Sequence, residues 1–179
     1  MSSSEASAAP DPITRILGYL VAIAAILGIP GGLYGFFSAE HAKRVEKTFE
    51  FYSEFRGEAF QKNWSYLIGK WNAQADEVKK LTDANDQEGI RKLASAIAMD
   101  EAGRKSFEEV LGFFDGLAAC VETSLCDGNS AAALLRLPAS DFASAFGPHI
   151  IFVRKMFGNT EYGTGLFQTR ALERRWSLF

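Results

Sequence analysis

Apolar residues fall along this chain in two regimes: one unbroken run near the start, then a long succession at spacings of three and four. From Ile16 to Phe37 no residue is charged. At about 1.5 Å per helical residue that run covers about 33 Å, enough for a hydrocarbon core of about 30 Å. Asp11-Pro12 is a good helix opening, because the carboxylate accepts from free N–H groups and proline at the first helical position lacks one at no cost. The pattern predicts a disordered 1–12, a transmembrane anchor over 13–38, a helical domain over 39–157 and an amphipathic tail over 158–179. A cleavable signal peptide fits less well: its apolar region is usually about 7–15 residues long, and Phe37 stands where a small residue is needed before cleavage at Ala39.

Beyond residue 38 the period is helical. Between His41 and Leu81 only Gly57 and Gly69 interrupt a stripe through Val45, Phe49, Tyr52, Phe60, Trp64, Leu67, Ile68, Trp71 and Val78. That stretch is either one rod continuing the anchor or two helices broken near Gly57. Thr82 to Asp86 reads as a turn, and Ile90, Leu93, Ala94 and Ile97 as a short helix ending near Met99-Asp100. Phe107, Val110, Leu111, Phe114, Leu117, Ala118, Val121 and Leu125 form the strongest amphipathic run. Gly128 should stop it by adopting positive φ, Asn129 or Ser130 should cap the next helix, and Pro138 should break that one. Phe142, Phe146, Ile150, Val153 and Phe157 mark a final helix closed by Gly158. The expected fold is all-α: one N-terminal transmembrane helix followed by a bundle of four or five helices.

Composition adds little chemistry. A net charge of −3 gives no reason to expect nucleic acid as a partner. Cys120 and Cys126, six apart, would lie about 9 Å apart along one helix, beyond the reach of a disulfide unless the chain turned between them; free thiols are expected, which suits a reducing compartment. His41 and His149 lie in no metal-binding spacing, so no metal or other cofactor is expected, and His149 falls on an apolar stripe as a core histidine would. Asp115 and Glu122 share a helix face, an arrangement that general acid–base catalysis uses when a pocket perturbs one carboxylate. Solvation explains them more simply, and the chain is expected not to be an enzyme.

Within the anchor, Gly28/Gly32 and Gly31/Gly35 form two small-x-x-x-small pairs of the kind that lets membrane helices pack closely. In the tail, Arg170, Arg174 and Arg175 alternate with Leu172, Trp176 and Phe179, suiting a membrane interface, the bundle or a partner. Lys43, Arg44 and Lys47 outnumber Arg15 and the amino terminus, which favours an N-terminus outside and a cytoplasmic domain on an inner membrane.

Phe107 to Asp115, then Leu125-Cys126-Asp127-Gly128, then the helix to Ile151-Phe152-Val153-Arg154, resembles the bacterial and phage membrane-anchored helical proteins grouped as domain of unknown function 4760. The likeness covers about a quarter of the chain strongly, with Asp115 where the longer Glu is expected. It implies the same layout of anchor and helical domain, and no particular activity. The expectation is an anchored scaffold or accessory subunit, with the lipid bilayer and a protein partner or second copy as its contacts. The alternatives are a tethered enzyme using Asp115, Glu122 and Cys120, and a lipid-surface sensor using the tail.

Overall fold

A computed structural model describes residues 37–172 of the chain. The chain divides into two compact units, Met1–Ala42 and Lys43–Phe179. The anchor expected over 13–38, with Gly28, Gly31, Gly32 and Gly35, lies outside the described residues apart from positions 37 and 38. Among the described residues no helix is long and apolar enough to cross a membrane.

Every element among the described residues is helical. The first, α1, is described over 37–56. It is followed by α2 (Glu58–Asn72), α3 (Ala75–Asp83), α4 (Gln87–Ala98), α5 (Glu101–Glu122), α6 (Gly128–Phe157) and α7 (Thr164–Ala171). The all-α expectation holds, with seven helices among the described residues against the four or five foreseen, although the stretch expected to break at Pro138 is one helix.

The rod between His41 and Leu81 is broken twice, at Gly57 and again at Ala73–Gln74. Gly57 caps α2 in an extended conformation at φ −65° and ψ 147°. Gly69, by contrast, lies inside α2 with nothing within 4 Å of where a Cβ would stand. Two later helices start as short-range chemistry dictates: Asp86 accepts from the Gly89 N–H at 2.9 Å, and Asp100 accepts from the Gly103 N–H. At Gly103 a Cβ would collide with the Ile97 carbonyl oxygen, so the sharp passage from α4 to α5 requires glycine there.

Pro138 does not end a helix. Both Pro138 and Pro148 lie inside α6. An interior proline costs about 3 kcal/mol. The α6 row Leu135, Ala139, Phe142, Phe146 and Ile150 is fully buried, and each large apolar side chain among them contributes about 1.5–3 kcal/mol. Tertiary packing outweighs the two local penalties. Gly158 ends α6 at φ +65°, as foreseen.

The core is aromatic. Phe60 and Phe113 stand 4.7 Å apart, Phe142 and Phe146 4.8 Å, and Trp64 and Phe142 5.5 Å. α1 and α2 run antiparallel to α5: Phe51 meets Phe113, Asn63 meets Ser106, and the Tyr66 hydroxyl reaches Asp100 at the α5 N-cap. α7 runs the other way along α5. Tyr162 meets Glu108, Gly163 faces Leu111, and Gly165 lies against Phe114 and Asp115. α1 therefore enters the larger unit, and α7 ends, at the end of α5 that carries the α5–α6 turn.

Candidate functional site

Of the polar arrangements that interrupt this core among the described residues, two tie α5 to its neighbours. The first is the α5–α6 turn. α5 stops at Glu122, and Ser124 takes φ +60°. The N–H groups of Leu125 and Cys126 then both donate to the Cys120 carbonyl, at 2.9 and 3.0 Å. The turn carries Cys126 back over Cys120, with Cα atoms 5.1 Å apart, and the two form a disulfide. This corrects the expectation of free thiols, which placed both cysteines on one continuing helix. It also corrects the role expected of Gly128, because Ser124 supplies the positive φ and Asp127 caps α6 by accepting from the Ser130 N–H at 2.7 Å.

The same turn grips α1. The Asp127 N–H donates to Thr48 Oγ1 at 2.8 Å, and the Thr48 hydroxyl donates to the Arg44 carbonyl at 2.9 Å. Thr48 is fully buried on the stripe of Val45, Tyr52 and Phe55. A polar residue on an otherwise apolar stripe is the signal in the sequence for this contact.

The second arrangement binds α7. Arg154 Nε donates to the Tyr162 carbonyl at 2.7 Å, and its Nη2 donates to Thr164 Oγ1 at 3.0 Å. Its guanidinium lies over the Phe167 ring, 5.0 Å from the centroid. The Tyr162 hydroxyl donates to Glu108 at 2.9 Å, and the Gly165 N–H donates to Asp115 Oδ1 at 2.7 Å. Burial pushes the Asp115 carboxyl above the usual carboxylate range, while the Gly165 bond and Arg154 pull it back. Burial, then the bond to Glu108, pushes the Tyr162 phenol well above its ordinary value. The arrangement is a clamp: Asp115 Oδ1 is committed to the Gly165 backbone N–H.

Asp115 and Glu122 share a helix, yet Asp115 faces α7 and Glu122 is exposed. Cys120 is bonded to Cys126 and offers no thiol. His149 is buried, its Nδ1 2.9 Å from Ser95 Oγ and its ring edge-on to Phe107. Burial, with a lesser contribution from Arg91, lowers its pKa. His41 is exposed on α1, and Arg170 is exposed at the end of α7. Arg174, Arg175 and Trp176 lie outside the described residues. Among the described residues no group of three or more His, Cys, Asp or Glu is placed to hold a metal ion.

Three of the cavities among the described residues are open to solvent. One of about 470 Å³ lies between Ile68, Trp71 and Val78 on one side and Asp141 and Ala145 on the other. A second, of about 250 Å³, adjoins it through Trp71 and Val78. The third is bounded by Glu54, Glu58 and Glu109. None of the three contains Asp115, Cys120, Glu122 or His149.

No protein-family model matches the chain, and no match was found among curated proteins or solved structures.

Proposed function

We propose that the chain is a single-pass, membrane-anchored helical module that works by contact, as a scaffold or accessory subunit of a membrane assembly. The charge-free run of residues 16–37 is its anchor, and a protein partner or second copy is its target. The observation that carries this reading is the state of α1. Over 37–56 only Thr48 and Phe55 are buried, and Phe49 is 51% exposed on the helix that follows the anchor directly. Val45, Phe51 and Tyr52 are half-buried on the same side, so the side that carries Phe49 stays open to another chain, and a large exposed aromatic is the kind of anchor that protein interfaces use. The resemblance to the domain of unknown function 4760 group belongs to the same proposal and supports the layout alone.

The test places a photoreactive phenylalanine analogue at position 49 of the full chain, expressed in membranes. Irradiation is expected to give a protein adduct at position 49 and none at Lys105, an exposed position on α5. Equal labelling at both positions, or none at either, contradicts the reading.

One observation favours a contribution from the tail. α7 heads toward the end of the bundle where α1 enters, and Arg174, Arg175 and Trp176 follow it in the sequence. Basic residues beside Trp suit lipid headgroups. Vesicles containing anionic lipid should retain the full chain more strongly than an Arg174→Gln, Arg175→Gln variant.

A further inference from the structure

We infer that the helical unit works in an oxidising, extracytoplasmic compartment, and that its cysteine pair is a permanent staple of the α5–α6 turn. The flanking charges point the other way. Lys43, Arg44 and Lys47 exceed Arg15 and the amino terminus by one or two positive charges, a small bias for deciding orientation. The turn gives a stronger cue. Cytosolic thiol buffers keep cysteine pairs reduced, while structural disulfides persist outside the cytoplasm.

The pair has the character of a structural bond. Cys120 and Cys126 are 8% and 3% exposed, so small reductants and partner thiols have poor access to either sulfur. Cys120 lies in the last turn of α5, where the helix dipole disfavours a thiolate; reactive cysteines favour helix N-termini and exposed settings. The spacing of six differs from the Cys-x-x-Cys of redox enzymes. The bond also has a structural task. It closes the turn whose next residue, Asp127, both caps α6 and holds α1 at Thr48. The staple therefore fixes the position at which the chain enters the unit.

The compartment does not depend on the anchor being retained, since a membrane helix with its amino terminus inside and a cleaved leader would each deliver the unit outside the cytoplasm. Its attachment to the membrane there rests on the proposed anchor.

The experiment uses the full chain in a Gram-negative host. Cells are quenched in acid, and thiols are alkylated with a polymer-tagged maleimide before or after reduction. In parallel, alkaline phosphatase or green fluorescent protein is fused after Phe179. The expected result is no tag before reduction and one on each of the two cysteines after it, with an active phosphatase fusion and a dark fluorescent one. Full alkylation without reductant overturns the inference, and so does an inactive phosphatase fusion with a bright fluorescent one. Oxidised cysteines and an active phosphatase on a chain that has lost its first forty residues would uphold the compartment and retire the anchor.

Discussion

Replacing Gly165 with alanine sets two physical effects of opposite sign against each other. Gly165 is the second residue of α7, where propensity alone favours alanine by up to about 1 kcal/mol. The packing forbids it. A Cβ there would stand 2.5 Å from the Phe114 carbonyl oxygen and 2.7 Å from the Asp115 nitrogen, both backbone atoms that cannot swing aside. α7 must lift away from α5, and the Gly165 N–H then loses Asp115. A hydrogen bond to a charged group contributes about 1.5–3 kcal/mol. Leu166, fully buried beside it, would give up part of a further 1.5–3 kcal/mol or so. The expected net loss is about 2–5 kcal/mol, a large share of the roughly 5–15 kcal/mol that holds a domain folded. Gly112→Ala is the control. It is the same substitution on exposed α5 surface with nothing within 4 Å of the new methyl, and it should stabilise by about 0.5–1 kcal/mol. Urea unfolding of the full chain in detergent, followed by circular dichroism, reads both. If Gly165→Ala is neutral or stabilising, the close seating of α7 on α5 is refuted.

Three further expectations rest on single groups. The Thr169 hydroxyl is fully buried with no hydrogen-bond partner among the described residues, so Thr169→Val should stabilise by about 1 kcal/mol in the same unfolding assay. His149 is held neutral by burial, with its folded pKa below the unfolded one. The unfolded chain therefore takes up the proton first, and stability should fall as pH drops below about 6.5; in His149→Gln that segment of the pH–stability curve should flatten, and an unchanged slope would remove His149 as its source. Replacing both Cys120 and Cys126 with alanine reopens a loop whose ends are six residues apart, which should cost about 2 kcal/mol. Non-reducing and reducing gels of the parent chain should agree with this by showing a bond to lose.

Much of the bundle is legible along the sequence where the cause is local. The α5 stripe from Phe107 to Ala118 is buried as its spacing requires, Asp86 and Asp100 start helices through their own side chains, and Gly158 ends one. The misreadings arise where distant contacts decide. Ser124 has no strong preference for positive φ, so the turn that pairs Cys120 with Cys126 is invisible beside the more inviting Gly128. Pro138 carries a helix-breaking signal, which the buried α6 row overrides. α7 spans only eight residues with a weak apolar pattern. Its place is set by Asp115 and Arg154, 50 and 10 residues away from their partners. Of the two polar arrangements, Thr48 was detectable in principle, as a threonine on an apolar stripe; Gly165 was not, because only the fold brings it against Phe114 and Asp115.

Membrane attachment carries the functional reading, and alkaline carbonate extraction combined with intact-mass analysis tests it most directly. The full chain, expressed without tags, should stay in the membrane pellet, be released only by detergent, and retain residues 16–37 in its measured mass. Recovery in the carbonate supernatant, or a mass that lacks those residues, would contradict the account.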